Sequence, residues 1–131
     1  MRQHILLVDD ETEALEELSE LLEGEGFKCH CANNVGDALQ ALNVCPEIEL
    51  VITDLRMPEE SGLRLIQNIR NNARRKDLPV IVMSGHADMH DVIGLLPLQV
   101  LDFLPKPIYH ERLVEIINQR FPPLPQVVSI G

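Results

Sequence analysis

The chain has 131 residues, enough for one domain with a real core and too few for two of ordinary size. It is 45% hydrophobic, 24% charged and only 3% aromatic, a profile of a globular chain, and its net charge of −10 argues against direct binding to a nucleic acid backbone. No apolar run approaches the roughly 20 residues of a membrane helix, and no signal-peptide core precedes Ile5, so the cytoplasm is the expected compartment.

Short apolar runs alternate with segments of helical period along the chain. Residues 4–8 are rich in Ile, Leu and Val without alternation, as in a strand buried on both faces. Thr12 to about Glu23 reads as a helix with Thr12 as its N-cap, with Ala14, Leu15, Leu18, Leu21 and Leu22 at three- and four-residue spacing and Gly24 and Gly26 at its end. Residues 27–32 form a second strand. Its Cys29 and Cys31 share a face with Phe27 and read as two small buried hydrophobes. A metal site on Cys29-His30-Cys31 is disfavoured, because adjacent strand residues splay to opposite faces. With Cys45 the cysteines are odd in number and lack a disulfide framework.

Asn33 or Asn34 then caps a helix carrying Val35, Ala38, Leu39 and Leu42. Leu50 to Thr53 is a third strand. A loop with Pro58 and Gly62 leads into a helix bearing Leu63, Leu65, Ile66 and Ile69 and closing in Arg74-Arg75-Lys76. Residues 79–83 make the fourth strand. Ala87 to Leu96 has helical pattern but is interrupted by Gly94 and closed by Pro97, which predicts the least stable helix. A fifth strand over 100–104 and a final helix from Tyr109 to Arg120 follow. The end, Phe121 through Gly131, reads as a proline-rich linker toward a probable effector domain.

Five βα repeats predict one parallel sheet covered by helices on both sides. The strands then deliver Asp9 and Asp10, Asp54, Ser84 and Lys106 to one sheet edge, where open α/β sheets place their binding sites. Asp9 or Asp10 could instead be a helix cap, and Ser84 a plain turn residue. His86 and His90 are four apart, but no general-base Glu lies between them, which disfavours a metalloenzyme.

Leu7-Val8-Asp9-Asp10-Glu11, Thr53-Asp54-Leu55-Arg56-Met57-Pro58, Met83-Ser84-Gly85 and Asp102-Phe103-Leu104-Pro105-Lys106-Pro107 together resemble the receiver domain of bacterial response regulators. The likeness covers residues 4 to about 120 and preserves order and spacing. It implies a flavodoxin-like three-layer sandwich with strand order 2-1-3-4-5. It also implies a phosphorylation switch, with Asp54 taking a phosphoryl group from a sensor histidine kinase or phosphotransfer protein.

By the same resemblance Mg2+ is bound by Asp10 and Asp54 directly, by the backbone carbonyl of Arg56, and by Asp9 through water. Lys106 and Ser84 contact the phosphoryl group, and Ser84 and Phe103 relay its arrival. Arg56 and His86 tune its lifetime, and Lys106-Pro107 is a cis peptide. No enzymatic activity is implied beyond self-phosphorylation and autodephosphorylation.

The chain departs from the family at Gln99-Val100, where Gly-Ala is usual. Glycine there would allow a left-handed turn, so the exit of the fourth helix is in question. That helix has no Lys or Arg. A homodimer through helix 4, strand 5 and helix 5 would therefore use Val92, Ile93, Leu95 or Leu96. Two other readings compete: a degenerate receiver serving only as a protein-interaction module, and a Mg2+-dependent aspartyl phosphohydrolase. The second wants an Asp two residues beyond the nucleophile, where Arg56 stands.

Overall fold

A computed structural model describes residues 2–85 and 89–123. Its strands are β1 (His4–Val8), β2 (Lys28–Ala32), β3 (Ile48–Asp54), β4 (Val80–Ser84) and β5 (Asp102–Pro105). The helices are α1 (Thr12–Gly24), α2 (Val35–Val44), α3 (Gly62–Arg70), α4 (Met89–Leu95) and α5 (His110–Arg120), with a 3-10 turn over Leu96–Leu98. All strand pairings are parallel, in the order β2-β1-β3-β4-β5, so this is the flavodoxin-like arrangement.

Strand alternation divides the core into two layers. Ile5, Leu7, Leu50, Ile52, Ile81 and Met83 face α1 and α5, where Leu15, Leu18, Leu22, Leu113, Ile116 and Ile117 are buried. Leu6, Val8, Val51, Val80 and Val82 face the opposite layer, built from α2, α3 and Leu95 of α4. The continuous apolar runs follow from burial on both faces, and the strand ends are left to carry polar groups.

Local capping chemistry differs from the sequence reading at several points. Thr12 is the first residue of α1 and not its cap; Glu11 holds the cap position without a side-chain bond. The turn is instead tied by Asp9, whose Oδ1 accepts from the Glu11 N–H at 3.0 Å. Asn34 does cap α2, accepting from the Asp37 N–H at 2.7 Å. Helix α3 stops at Arg70, short of the basic cluster, because Asn71 closes it and a turn held by the Asn72 side chain follows.

Cys29 is half-buried and Cys31 is exposed, so they are not the buried pair that alternation predicts. β2 is an edge strand, and α1 covers only part of it. At the other end, Phe121 is packed into the α1/α5 layer rather than lying in a linker. The Arg2 guanidinium donates to its carbonyl oxygen at 2.9 Å and to Asn118 Oδ1 at 2.6 Å. Residues 124–131, the rest of the expected linker, lie outside the described residues.

The α4–β5 connection resolves the question raised by Gln99. Gln99 takes the left-handed conformation itself, with φ 53° and ψ 51°, although it has a Cβ. Three carbonyls around it are gathered by one side chain: Arg70 donates to Leu98 O at 2.7 Å, Leu78 O at 2.6 Å and Gln99 O at 3.4 Å. A non-glycine residue there costs about 1–2 kcal/mol, and these charge-assisted bonds offset it. β5 consequently starts at Asp102, two residues later than expected.

Candidate functional site

Each member of the site is delivered by the end of a strand. Asp9 follows β1, Asp54 ends β3, Ser84 ends β4, and Lys106 follows β5. Parallel pairing puts these ends on one edge, with Asp54 opposite Met83 and Ser84 opposite Pro105 in register. Asp9, Asp54 and Ser84 are buried, at 2%, 6% and 3% exposure, whereas Asp10 is exposed. Two carboxylates this deep need a cation or donors close by.

Lys106 supplies the cation. Its Nζ lies 2.8 Å from Asp54 Oδ2 and 2.9 Å from Asp9 Oδ2, bridging the two. Burial alone would lower the lysine pKa, but the hydrogen bonds that Lys106 donates to Asp54 and Asp9 outweigh it and hold the ammonium above its ordinary range. The remaining Asp54 oxygen, Oδ1, accepts from the Arg56 N–H at 3.2 Å. The Lys106–Pro107 peptide is cis.

Asp9, Asp10 and Asp54 each offer an oxygen, and these lie within 4.8 Å of one another. An all-carboxylate set of this kind suits a hard divalent cation such as Mg2+ and not a thiophilic metal. Beside Asp10, a cleft of about 610 Å³ opens between Asn33-Asn34 and Met57-Pro58, giving access from solvent.

Around this centre lie Phe103 and Arg56, to which the resemblance gives relay and tuning roles. Phe103 is half-buried and lines a groove of about 300 Å³ with Val92, Leu96 and Val100. The Arg56 guanidinium reaches to α4 and pairs with Asp91 Oδ2 at 2.6 Å. His86 lies outside the described residues.

Gly62 was missed as a site residue. A Cβ there would stand 2.1 Å from the Asp54 carbonyl oxygen, and the Gly62 N–H donates to Leu55 O at 2.8 Å. The first turn of α3 thus presses on the backbone that carries Asp54. Only the turn-forming Pro58 and Gly62 hinted at this, and a lone glycine does not say which atom it must approach. Gly85 is less constrained: a Cβ there would make ordinary contact with Lys106 at 3.7 Å.

Residues 5–118 match the model of the response regulator receiver domain family. The chain belongs to that family. It is 31% identical over 84% of its length to the two-component response regulator PprB of Pseudomonas aeruginosa, and 38% identical over 87% to the transcriptional regulatory protein CpxR homolog of Haemophilus influenzae. It spans only 40% and 48% of the lengths of those two proteins.

Among solved structures, a response regulator receiver protein from Pseudomonas putida matches this receiver domain with a TM-score of 0.86 and 38% identity, over 91% of this chain and 98% of that one. The chemotaxis protein CheY4 of Vibrio cholerae, at 19% identity and a TM-score of 0.84, covers 91% of this chain and 98% of its own, and supports the fold alone. No helix among the described residues of the receiver domain is long and apolar enough to cross a membrane.

Proposed function

We propose that this receiver domain is a phosphorylation-dependent switch with Asp54 as phosphoacceptor. The observation that carries the proposal is Asp54 itself, buried at a strand end and held 2.8 Å from the Lys106 ammonium beside two further carboxylates. An Asp54 oxygen attacks the phosphorus of a phosphohistidine on a sensor histidine kinase or phosphotransfer protein. The O–P bond forms as the P–N bond breaks, and the imidazole leaves with the electron pair and takes up a proton. Such transfer depends on positioning and charge stabilisation more than on covalent assistance.

Asp10 and Asp54 would hold Mg2+ directly and the Arg56 carbonyl would add a third contact, while Asp9, already engaged by Lys106 and the Glu11 N–H, would act through water. Bound there, the ion screens the negative charge shared by carboxylate and phosphoryl group. Lys106 and the Ser84 hydroxyl contact the phosphoryl oxygens, and Phe103 relays the change to α4, β5 and α5. Arg56 and His86 set the lifetime of the acyl phosphate. Hydrolysis of that bond resets the domain, which performs no other catalysis.

The large exposed side chains Val92, Ile93 and Leu96 make the α4 face the proposed surface for a homodimer. A C-terminal effector domain fits the fraction of the relatives' lengths that the chain covers. The acidic chain itself leaves any nucleic acid to that domain, and a cytoplasmic location follows from the proposed kinase partner. The arrangement does not favour the aspartyl phosphohydrolase, since Arg56 directs its side chain to Asp91 where an acid/base would be needed.

Incubation with acetyl phosphate and Mg2+ should add one phosphoryl group, about 80 Da, to the intact chain, and Asp54→Asn should abolish the adduct. A mass spectrum without an adduct, or with one that survives in Asp54→Asn, would overturn the assignment. An intact fold without any adduct would leave the interaction-module reading in its place.

A further inference from the structure

Three side chains unused by the switch meet at the opposite end of the sheet. His4 opens β1, His30 lies diagonally from it in β2, and Cys45 follows the last turn of α2. Alternation explains the meeting: His30 turns away from Cys29 and Cys31, its chain neighbours, toward the α2 side of the sheet. There His4 Nδ1 lies 3.0 Å from His30 Nε2, and Cys45 Sγ lies 3.6 Å from His30 Nε2 and 3.9 Å from His4 Nδ1. All three residues are half-buried.

Proton bookkeeping shows what this triangle lacks. The Cys45 thiol donates its hydrogen to Glu47 Oε2 at 2.9 Å, so its lone pairs are what it offers the two imidazoles. Between two neutral imidazole nitrogens only one can donate. Three atoms able to ligate a metal therefore surround one point.

We propose that His4, His30 and Cys45 form a binding site for a divalent transition metal of the zinc type, with solvent taking the fourth position. Zinc–nitrogen bonds of about 2.0–2.1 Å and zinc–sulfur bonds of about 2.3 Å give a tetrahedral face with edges of roughly 3.3 and 3.5 Å. The observed edges are 3.0, 3.6 and 3.9 Å, so small side-chain adjustments suffice. On binding, the metal displaces the thiol proton, which is released to solvent, and sulfur coordinates as thiolate.

Soft and borderline ligands separate this site from the all-oxygen carboxylate cluster. The two lie at opposite ends of β1, about 16 Å apart for five residues of strand. Metal here would clamp β1, β2 and the α2–β3 turn together and leave Asp54 untouched. The inference does not depend on the phosphoacceptor assignment.

The test uses the whole chain, stripped of metal and kept reduced with a phosphine. Zn2+ is titrated against a chromophoric chelator, with Co2+ as optical probe. One Zn2+ per chain should bind and raise the melting temperature. Co2+ should give the intense visible bands of tetrahedral geometry and a thiolate charge-transfer band in the near ultraviolet.

Cys45→Ser should abolish the charge-transfer band, and His4→Gln or His30→Gln should each weaken zinc by about tenfold or more. Cys29→Ser/Cys31→Ser and Asp54→Asn should bind as the parent does. The proposal fails if the chelator retains all the zinc. It fails equally if Cys45→Ser and His30→Gln bind unchanged, or if binding is lost only with Cys29 and Cys31. Circular dichroism of each variant secures the comparison, and His4 and His30 provide two independent removals.

Discussion

The Arg56 guanidinium and the Asp91 carboxylate, 2.6 Å apart, tie the loop that follows Asp54 to helix α4. Arg56 thus has two engagements with the mechanism: its N–H donates to Asp54 Oδ1, while its side chain is drawn away to α4. At 52% and 24% side-chain exposure the pair sits near the surface, where such contacts contribute below about 1 kcal/mol. Its effect should be on chemistry more than on stability. Asp91→Asn should weaken the hold of α4 on Arg56 and lengthen the acyl phosphate lifetime, read as loss of the mass adduct with time. In an Arg56→Gln background the same change should have no effect.

Lys106 bridges two buried carboxylates, so its removal should show a particular pH dependence. Lys106→Met leaves Asp9 and Asp54 facing each other without a cation. The variant should be less stable than the parent at pH 7 by about 1–3 kcal/mol, below the full cost of breaking a buried pair because solvent reaches the lysine. In the parent the raised lysine pKa means that its stabilisation is present below the ordinary lysine range and is lost as pH rises through the raised value, so the deficit should shrink there. Urea unfolding at pH 7 and at a pH above the ordinary lysine range checks both the deficit and its loss.

Gly62 should not tolerate a methyl group. The 2.1 Å approach to the Asp54 carbonyl means that Gly62→Ala must move either α3 or the end of β3. Overpacking of this kind costs about 1–3 kcal/mol. Phosphorylation by acetyl phosphate should slow as Asp54 shifts from Lys106, and denaturant melts together with the rate of mass gain would show both effects. A variant with parental stability and parental rate would contradict the contact.

Leu95 and Leu96 are neighbours with opposite environments, at 5% and 71% exposure. The expected dimer face included both, and the structure removes Leu95 from it, because that residue packs against the α2/α3 layer. Leu95→Ala should destabilise by about 2 kcal/mol or more, whereas Leu96→Glu should change stability by less than about 0.5 kcal/mol. If the α4 face joins two phosphorylated copies, Leu96→Glu should leave them monomeric in sedimentation velocity. Association unaffected by Leu96→Glu would exclude this face.

Much of the fold and the site was legible in the chain for a simple reason. A parallel strand buried on both faces must be a continuous apolar run, and the polar group ending it must sit at the sheet edge. β1 ran from His4 to Val8 as read, and Asp9, Asp54, Ser84 and Lys106 converge because their strands do. Contacts between residues distant in sequence were not legible. Nothing near Gln99 announces Arg70, and no spacing links His4, His30 and Cys45. The cap of α1 failed for a related reason: Thr12 suits the role by type, yet the Asp9 carboxylate already ties that turn.

The left-handed Gln99 is open to direct adjustment. Gln99→Gly should remove the conformational cost of about 1–2 kcal/mol while loosening the unfolded chain by about 0.5–1 kcal/mol. A net gain of up to about 1.5 kcal/mol should appear as a higher urea midpoint with unchanged slope. Arg70→Gln should be more damaging in the parent than in the Gln99→Gly variant.

That dependence on Arg70 reaches into chimera building. A segment spanning α4 and β5, grafted from this chain into a relative, would carry the strained residue but leave its clasp behind on α3. Transplants in the reverse direction, bringing glycine, should be accepted without matching changes. Compatibility between receiver domains at this junction is therefore one-directional, and the order in which positions 70 and 99 are exchanged decides how much stability the intermediate loses.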